Sequence, residues 1–66
     1  MWQSTHHRKP VSRGGKTIPE NLSVVPVVKH RAWHTLFGNM NPMEIADEIN
    51  KYWLDPSYEF IVRKID

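Results

Sequence analysis

The sequence predicts an α+β fold: a β-hairpin with a long loop, a helix after it, then a second helix and a short strand or extended tail. Three observations predict it. Two short β-prone stretches flank a run of Pro, Ser and Gly punctuation, Pro26 and Gly38 bracket a segment of helical length, and Asn41-Pro42-Met43-Glu44 spells a helix start. Residues 2–7 form the first strand. Pro10, Ser12, Gly14-Gly15 and Pro19 mark residues 10–20 as loop, where the two glycines permit a positive-φ turn. Residues 21–25 are apolar and β-branched, and pair back on the first strand as a hairpin. Pro26 is expected as the first residue of a helix running to Phe37, because a helix's first turn has no use for the missing N–H. Gly38 ends it as a C′ glycine.

The second helix is the clearest local signal. Asn41 caps it, Pro42 occupies N1, and Glu44 falls where a capping box requires it. Ile45, Ile49, Tyr52 and Trp53 follow helical spacing and predict one apolar stripe, with Asp47, Glu48 and Lys51 outside. Asp55-Pro56-Ser57 stops the helix, and residues 58–62 read as a short strand or tail. Tyr52, Trp53 and Phe60 are expected in the core. This half, 41–63, supports the first and supplies no chemistry.

At 66 residues and 7.8 kDa the chain has room for one small domain, 1–66. A chain this short buries only roughly 60% of its unfolded surface, so a staple is expected. The absence of cysteine excludes disulfides, thiolate zinc sites and thiol nucleophiles together. The longest apolar run, Val24-Val25-Pro26-Val27-Val28, is too short to span a membrane. Residues 1–4 lack the pattern of a signal peptide, and a cytoplasmic location without a membrane partner is expected.

The net charge of +2 conceals an asymmetry. Residues 1–34 carry Arg8, Lys9, Arg13, Lys16, Lys29 and Arg31 against Glu20 alone, a formal +5, whereas residues 35–66 carry three cations against six acids, a formal −3. Those six cations can attract a polyanion such as DNA or RNA, although charge alone favours a solvated loop. All four histidines lie in the same basic half. His30 and His34 are four apart, so a helix presents both imidazoles on one face, within reach of one ion. Two imidazoles make an incomplete site and need a further ligand. His6 and His7 close the first strand on opposite sides, so only one of them can face that ion. The other stays free for acid–base work, a division of labour that phosphodiester hydrolysis uses.

Taken in order, His6-His7-Arg8-Lys9-Pro10-Val11-Ser12-Arg13-Gly14-Gly15, then Asn21, Pro26, His30 and His34, resemble the HNH endonuclease signature. The string is most similar to the nuclease-colicin and pyocin branch, with its pattern H-H-x-K-P-x-S-x-G-G, N, H-x-x-x-H. The resemblance covers residues 6–34. It implies a ββα-metal (His-Me) finger with His6, His30 and His34 holding one divalent ion and His7 as general base. Asn21 would brace the loop and, through its backbone contacts, orient His7. Lys9, Ser12, Gly14 and Gly15 match the family's loop, and Pro26 its proline near the helix start. Many other HNH proteins place an aspartate at the His6 position and a four-cysteine zinc knuckle around the finger, and this chain has neither. It also departs from the colicin branch. That branch carries acidic and arginine residues upstream of the paired histidines, and here Ser4 and Thr5 stand in that stretch, leaving Arg8, Arg31 or Lys29 as replacements for a phosphate clamp.

The expected function is therefore a metal-dependent DNA endonuclease with little sequence preference, since phosphate contacts position without specifying. The alternative is a non-catalytic, metal-stapled module binding nucleic acid or protein. Three imidazoles suit Zn²⁺ or Ni²⁺ by softness, while hydrolysis of phosphodiesters also runs on Mn²⁺ or Mg²⁺.

Overall fold

The computed structural model of the protein describes residues 2–65. Two antiparallel strands and two helices give an α+β arrangement in which a hairpin is followed by a helix. Strand β1 (Gln3–His7) pairs with β2 (Leu22–Pro26) in the register Ser4 to Val25, His6 to Ser23 and His7 to Leu22. Side chains alternate along a strand. Ser4 and His6 thus share one half-buried face with Val25 and Ser23, while Thr5 and Val24 stand exposed on the other.

The long loop between the strands is held by its own sequence. Two short 3₁₀ turns, Val11–Arg13 and Pro19–Asn21, shape it, and Gly14 adopts φ +88° between them. Gly15 is required for a different reason: a Cβ there would lie 1.8 Å from the Lys9 carbonyl oxygen, so no side chain fits. Asn21 ties the loop's two ends. Its Oδ1 accepts from Lys9 N–H at 2.7 Å, and its Nδ2 donates to the carbonyls of Lys9 at 3.0 Å and Lys16 at 2.9 Å. The Asn21 carbonyl accepts from Arg8 N–H at 2.7 Å, fixing the backbone immediately after His7.

Helix α1 (Val27–Phe37) begins one residue later than the sequence predicts. Pro26 has ψ 138°, an extended value, and serves as the last residue of β2 and the cap of the helix. Its lack of an N–H is tolerated equally well at the end of an edge strand. Gly38, at φ +54°, ends α1 with its N–H donating to His34 O at 3.0 Å. Trp33 and Phe37 pack against each other at a tilt, with ring centroids 4.6 Å apart.

Helix α2 (Pro42–Glu48) starts with the complete capping box: Asn41 Oδ1 accepts from Glu44 N–H, and Glu44 Oε1 accepts from Asn41 N–H, both at 2.9 Å. Glu44 also receives Arg13, whose guanidinium lies 2.6 Å away and donates in addition to Asn39 O at 2.9 Å. That clasp docks the hairpin loop on the second helix. The helix then widens over Ile49–Trp53 into π geometry, with Leu54 N–H donating to Ile49 O at 2.9 Å.

The widened turn overturns one expectation. Adding a residue to the turn rotates every later side chain out of the 3.6-residue phase, so the predicted stripe breaks after Ile49. Tyr52 and Trp53 are 62% and 63% exposed, and Ala46 is the residue of α2 that is buried. Phe60, also expected in the core, is 53% exposed. Its backbone is pinned instead: Asn50 Oδ1 accepts from Phe60 N–H at 2.8 Å and Asn50 Nδ2 donates to Phe60 O at 3.0 Å. The tail after Asp55 forms a turn, with Tyr58 N–H donating to Asp55 O at 2.9 Å, and then runs on without a strand. Among the described residues, Phe37 and Ala46 are the buried hydrophobics, and no helix is long and apolar enough to cross a membrane.

Candidate metal centre

The hairpin and α1 bring three of the four histidines together. His6 projects from the inner face of β1, and His30 and His34 project from successive turns of α1 toward it. One ring nitrogen from each lies within 4.8 Å of the other two. The His30 and His34 Nε2 atoms are 2.9 Å apart. His6 stands edge-on to His30, with ring centroids at 5.1 Å, and also packs edge-on against Trp33. The cluster is thus seated on the wall that Trp33 and Phe37 build.

The donor set suits a cation. A contact of 2.9 Å between two imidazole nitrogens pairs an N–H on one ring with a lone pair on the other. Burial, reinforced by His30, His34, His7 and Arg8, holds His6 below the ordinary 6.5 and keeps its lone pair free at neutral pH. A tetrahedral ion bound by nitrogens at about 2.0–2.1 Å separates two ligand atoms by roughly 3.3 Å. The His30–His34 pair must open slightly, and donor atoms as much as 4.8 Å apart must draw in, to reach that spacing, movements that ring rotation can supply, so three imidazoles could hold one ion. Ser4 adds an orienting contact: its Oγ lies 2.6 Å from His30 Nδ1. When Nδ1–H donates to that oxygen, the Nε2 lone pair is directed at the cluster, as outer hydrogen bonds do for ligating histidines.

His7 lies outside the trio, on the other side of β1. Its Nε2 is 3.0 Å from Thr17 Oγ1. It nevertheless lines the same open cleft, of about 250 Å³, as His6, His30 and His34, with Pro10, Ser12 and Asn39 among the other walls. Asn21 is not among the residues lining that cleft, and its carbonyl accepts from the N–H of Arg8, the residue after His7.

The six cations expected to meet a polyanion are dispersed. Lys29 borders a second cleft of about 260 Å³ beside His6 and Trp33. Arg31 and Lys16 are exposed. Arg8 and Lys9 line a separate groove, and Arg13 has its guanidinium engaged by Glu44 and Asn39, so it is a structural clasp. Two contributors escape a reading by motif. Ser4 was visible in principle, because a residue two before His6 shares its strand face. Thr17 carries no such signal, since loop residues have no periodicity.

No family model, no curated protein and no solved structure matches the chain.

Proposed function

We propose that the protein is a metal-dependent endonuclease of the HNH type, hydrolysing DNA phosphodiester bonds with little sequence preference. One observation carries the reading: three imidazoles converge within 4.8 Å while a fourth, His7, lines the same cleft without joining them. A divalent ion held by His6, His30 and His34 would act as a Lewis acid on the scissile phosphate. His7, held at Nε2 by Thr17, takes the proton from an attacking water at its other ring nitrogen. The water oxygen bonds to phosphorus as one ester P–O bond breaks, His7 takes the water's proton, and the leaving ester oxygen picks up a proton from solvent to leave as a hydroxyl. Asn21 hydrogen-bonds the backbone of Arg8 and Lys9 after His7, and Gly15 lets the loop pass against Lys9. Arg8 and Lys29 supply positive charge near the cleft in place of a dedicated phosphate clamp.

Substituting His7→Ala tests this. Loss of supercoiled-plasmid nicking with metal affinity unchanged is the expected result; a variant that nicks like the parent contradicts it.

A second reading, a metal-stapled module without catalysis, is favoured by the small core. With Phe37 and Ala46 as the buried hydrophobics, an ion would be the main cross-link between hairpin and helix. Structural zinc supplies on the order of 10 kcal/mol of apparent folding free energy in small domains. Under this reading the parent protein leaves plasmid intact with Zn²⁺, Ni²⁺, Mn²⁺ and Mg²⁺ alike.

A further inference from the structure

The C-terminal tail folds back beside the hairpin loop and creates a groove that the linear sequence hides. It measures about 640 Å³ and runs between the start of the loop, the N-terminus of α2 and residues 62–64. Its floor is apolar, built from Met40, Met43, Ile45 and Val62. Arg8 and Lys9 of the loop and Arg63 and Lys64 of the tail line it too, with Arg13 held by Glu44. Arg63 and Lys64 belong to the acidic half of the sequence, yet the fold brings them to the same groove as the basic loop. The groove shares Pro10 with the cleft of the histidine cluster, and Met40 follows Asn39, which lines that cleft, so the two run on from each other.

We infer that this groove holds a single nucleic-acid strand leading away from the metal centre, with Arg63 and Lys64 as phosphate contacts. Choosing a polynucleotide as occupant rests on the nuclease reading. Choosing a single strand rests on the groove itself. A duplex presents a continuous charged backbone and keeps its bases stacked inside, and would leave an apolar floor uncovered. An unpaired strand places phosphates on cationic side chains and lays base faces on apolar ones, the pattern of groove-type single-strand binders. Cations contributed by both the loop and the tail give the groove charge complementary to a phosphate backbone.

The test measures binding without turnover. The metal-free full chain, held in EDTA, is titrated into a fluorescein-labelled 12-mer of thymidine and into a 12-bp duplex, with anisotropy as readout. The single strand binds tighter. Replacing both Arg63 and Lys64 with alanine removes two phosphate contacts, lowering the log–log salt slope by about 1.4 and affinity by about 25-fold at 0.1 M salt. Met43→Asp, an exposed change on the floor, weakens strand binding without altering the circular dichroism of the fold. Equal or tighter duplex binding, or an unchanged salt slope in R63A/K64A, overturns the inference. So does an acidic, leucine-containing peptide whose binding needs Arg63 and Lys64 while the strand's does not, which would make the groove a protein-docking surface. The nuclease reading fails separately: a chain that binds the strand this way yet nicks no plasmid keeps the groove and loses the catalysis, and one that nicks with R63A/K64A binding as the parent does the reverse.

Discussion

Removing His34 separates the ion's contribution from that of the polypeptide. The ring is exposed and meets the fold through His30 Nε2, 2.9 Å away, and the Gly38 N–H bond that ends α1 goes to the His34 backbone oxygen. His34→Ala therefore leaves the cap in place and substitutes a better helix former, so the metal-free stability changes by no more than about 0.5 kcal/mol. With metal the outcome differs. An ion present at 1,000 times its dissociation constant stabilises the parent by about 4.1 kcal/mol. Loss of one of three ligands weakens binding at least as much as the roughly 100-fold upper end found for outer-shell partners. At the same ion concentration the variant then gains about 1.4 kcal/mol. The difference of about 2.7 kcal/mol corresponds to roughly 11–22 °C in Tm for a domain of this size. Far-UV circular dichroism melts of both proteins, in Zn²⁺ and in EDTA, measure it. Equal metal-induced shifts in parent and variant would refute the ligand role of His34.

Ser4→Ala deletes the contact to His30 Nδ1 without touching a ligand, and should lower Zn²⁺ affinity by about 10–100-fold in a competition titration while the EDTA melt stays put. Unchanged affinity would show that Ser4 orients nothing. The metal-free protein should also lose stability in acid. Burial and the charges of His30, His34, His7 and Arg8 depress His6, so below the ordinary 6.5 the unfolded chain takes up a proton that folded His6 refuses. That contribution is complete above pH 6.5 and declines as pH falls toward the depressed folded value. Urea midpoints in EDTA should drop from pH 7.5 to 5.5 and flatten in His6→Ala; a parent curve already flat would contradict this.

The sequence makes the order of hairpin, helix and capped second helix legible because each rests on a local device. The Asn41–Glu44 box, the Gly38 stop and the Gly14-Gly15 turn act within a few residues of themselves, and each stands where its spacing puts it. The i, i+4 pair of His30 and His34 is legible for the same reason. What needs tertiary context is not. The π turn at Ile49–Trp53 has no local signature and moves Tyr52 and Trp53 out of the stripe that regular periodicity extrapolates. Arg13 reads as one more loop cation until Glu44 is seen opposite it, since the pairing spans 31 positions. Arg63 and Lys64 read as part of an acidic half until the tail folds back, and Asn50 gains its meaning from Phe60 ten residues on.

His6, His30 and His34 are proposed to share one cation that His7 does not touch. Zn²⁺ titration followed by imidazole ¹⁵N NMR addresses it residue by residue. At one equivalent, the ring signals of His6, His30 and His34 should move to new positions while those of His7 stay where they were. Movement of His7 with the others, or saturation with fewer than three rings shifted, would contradict the claim.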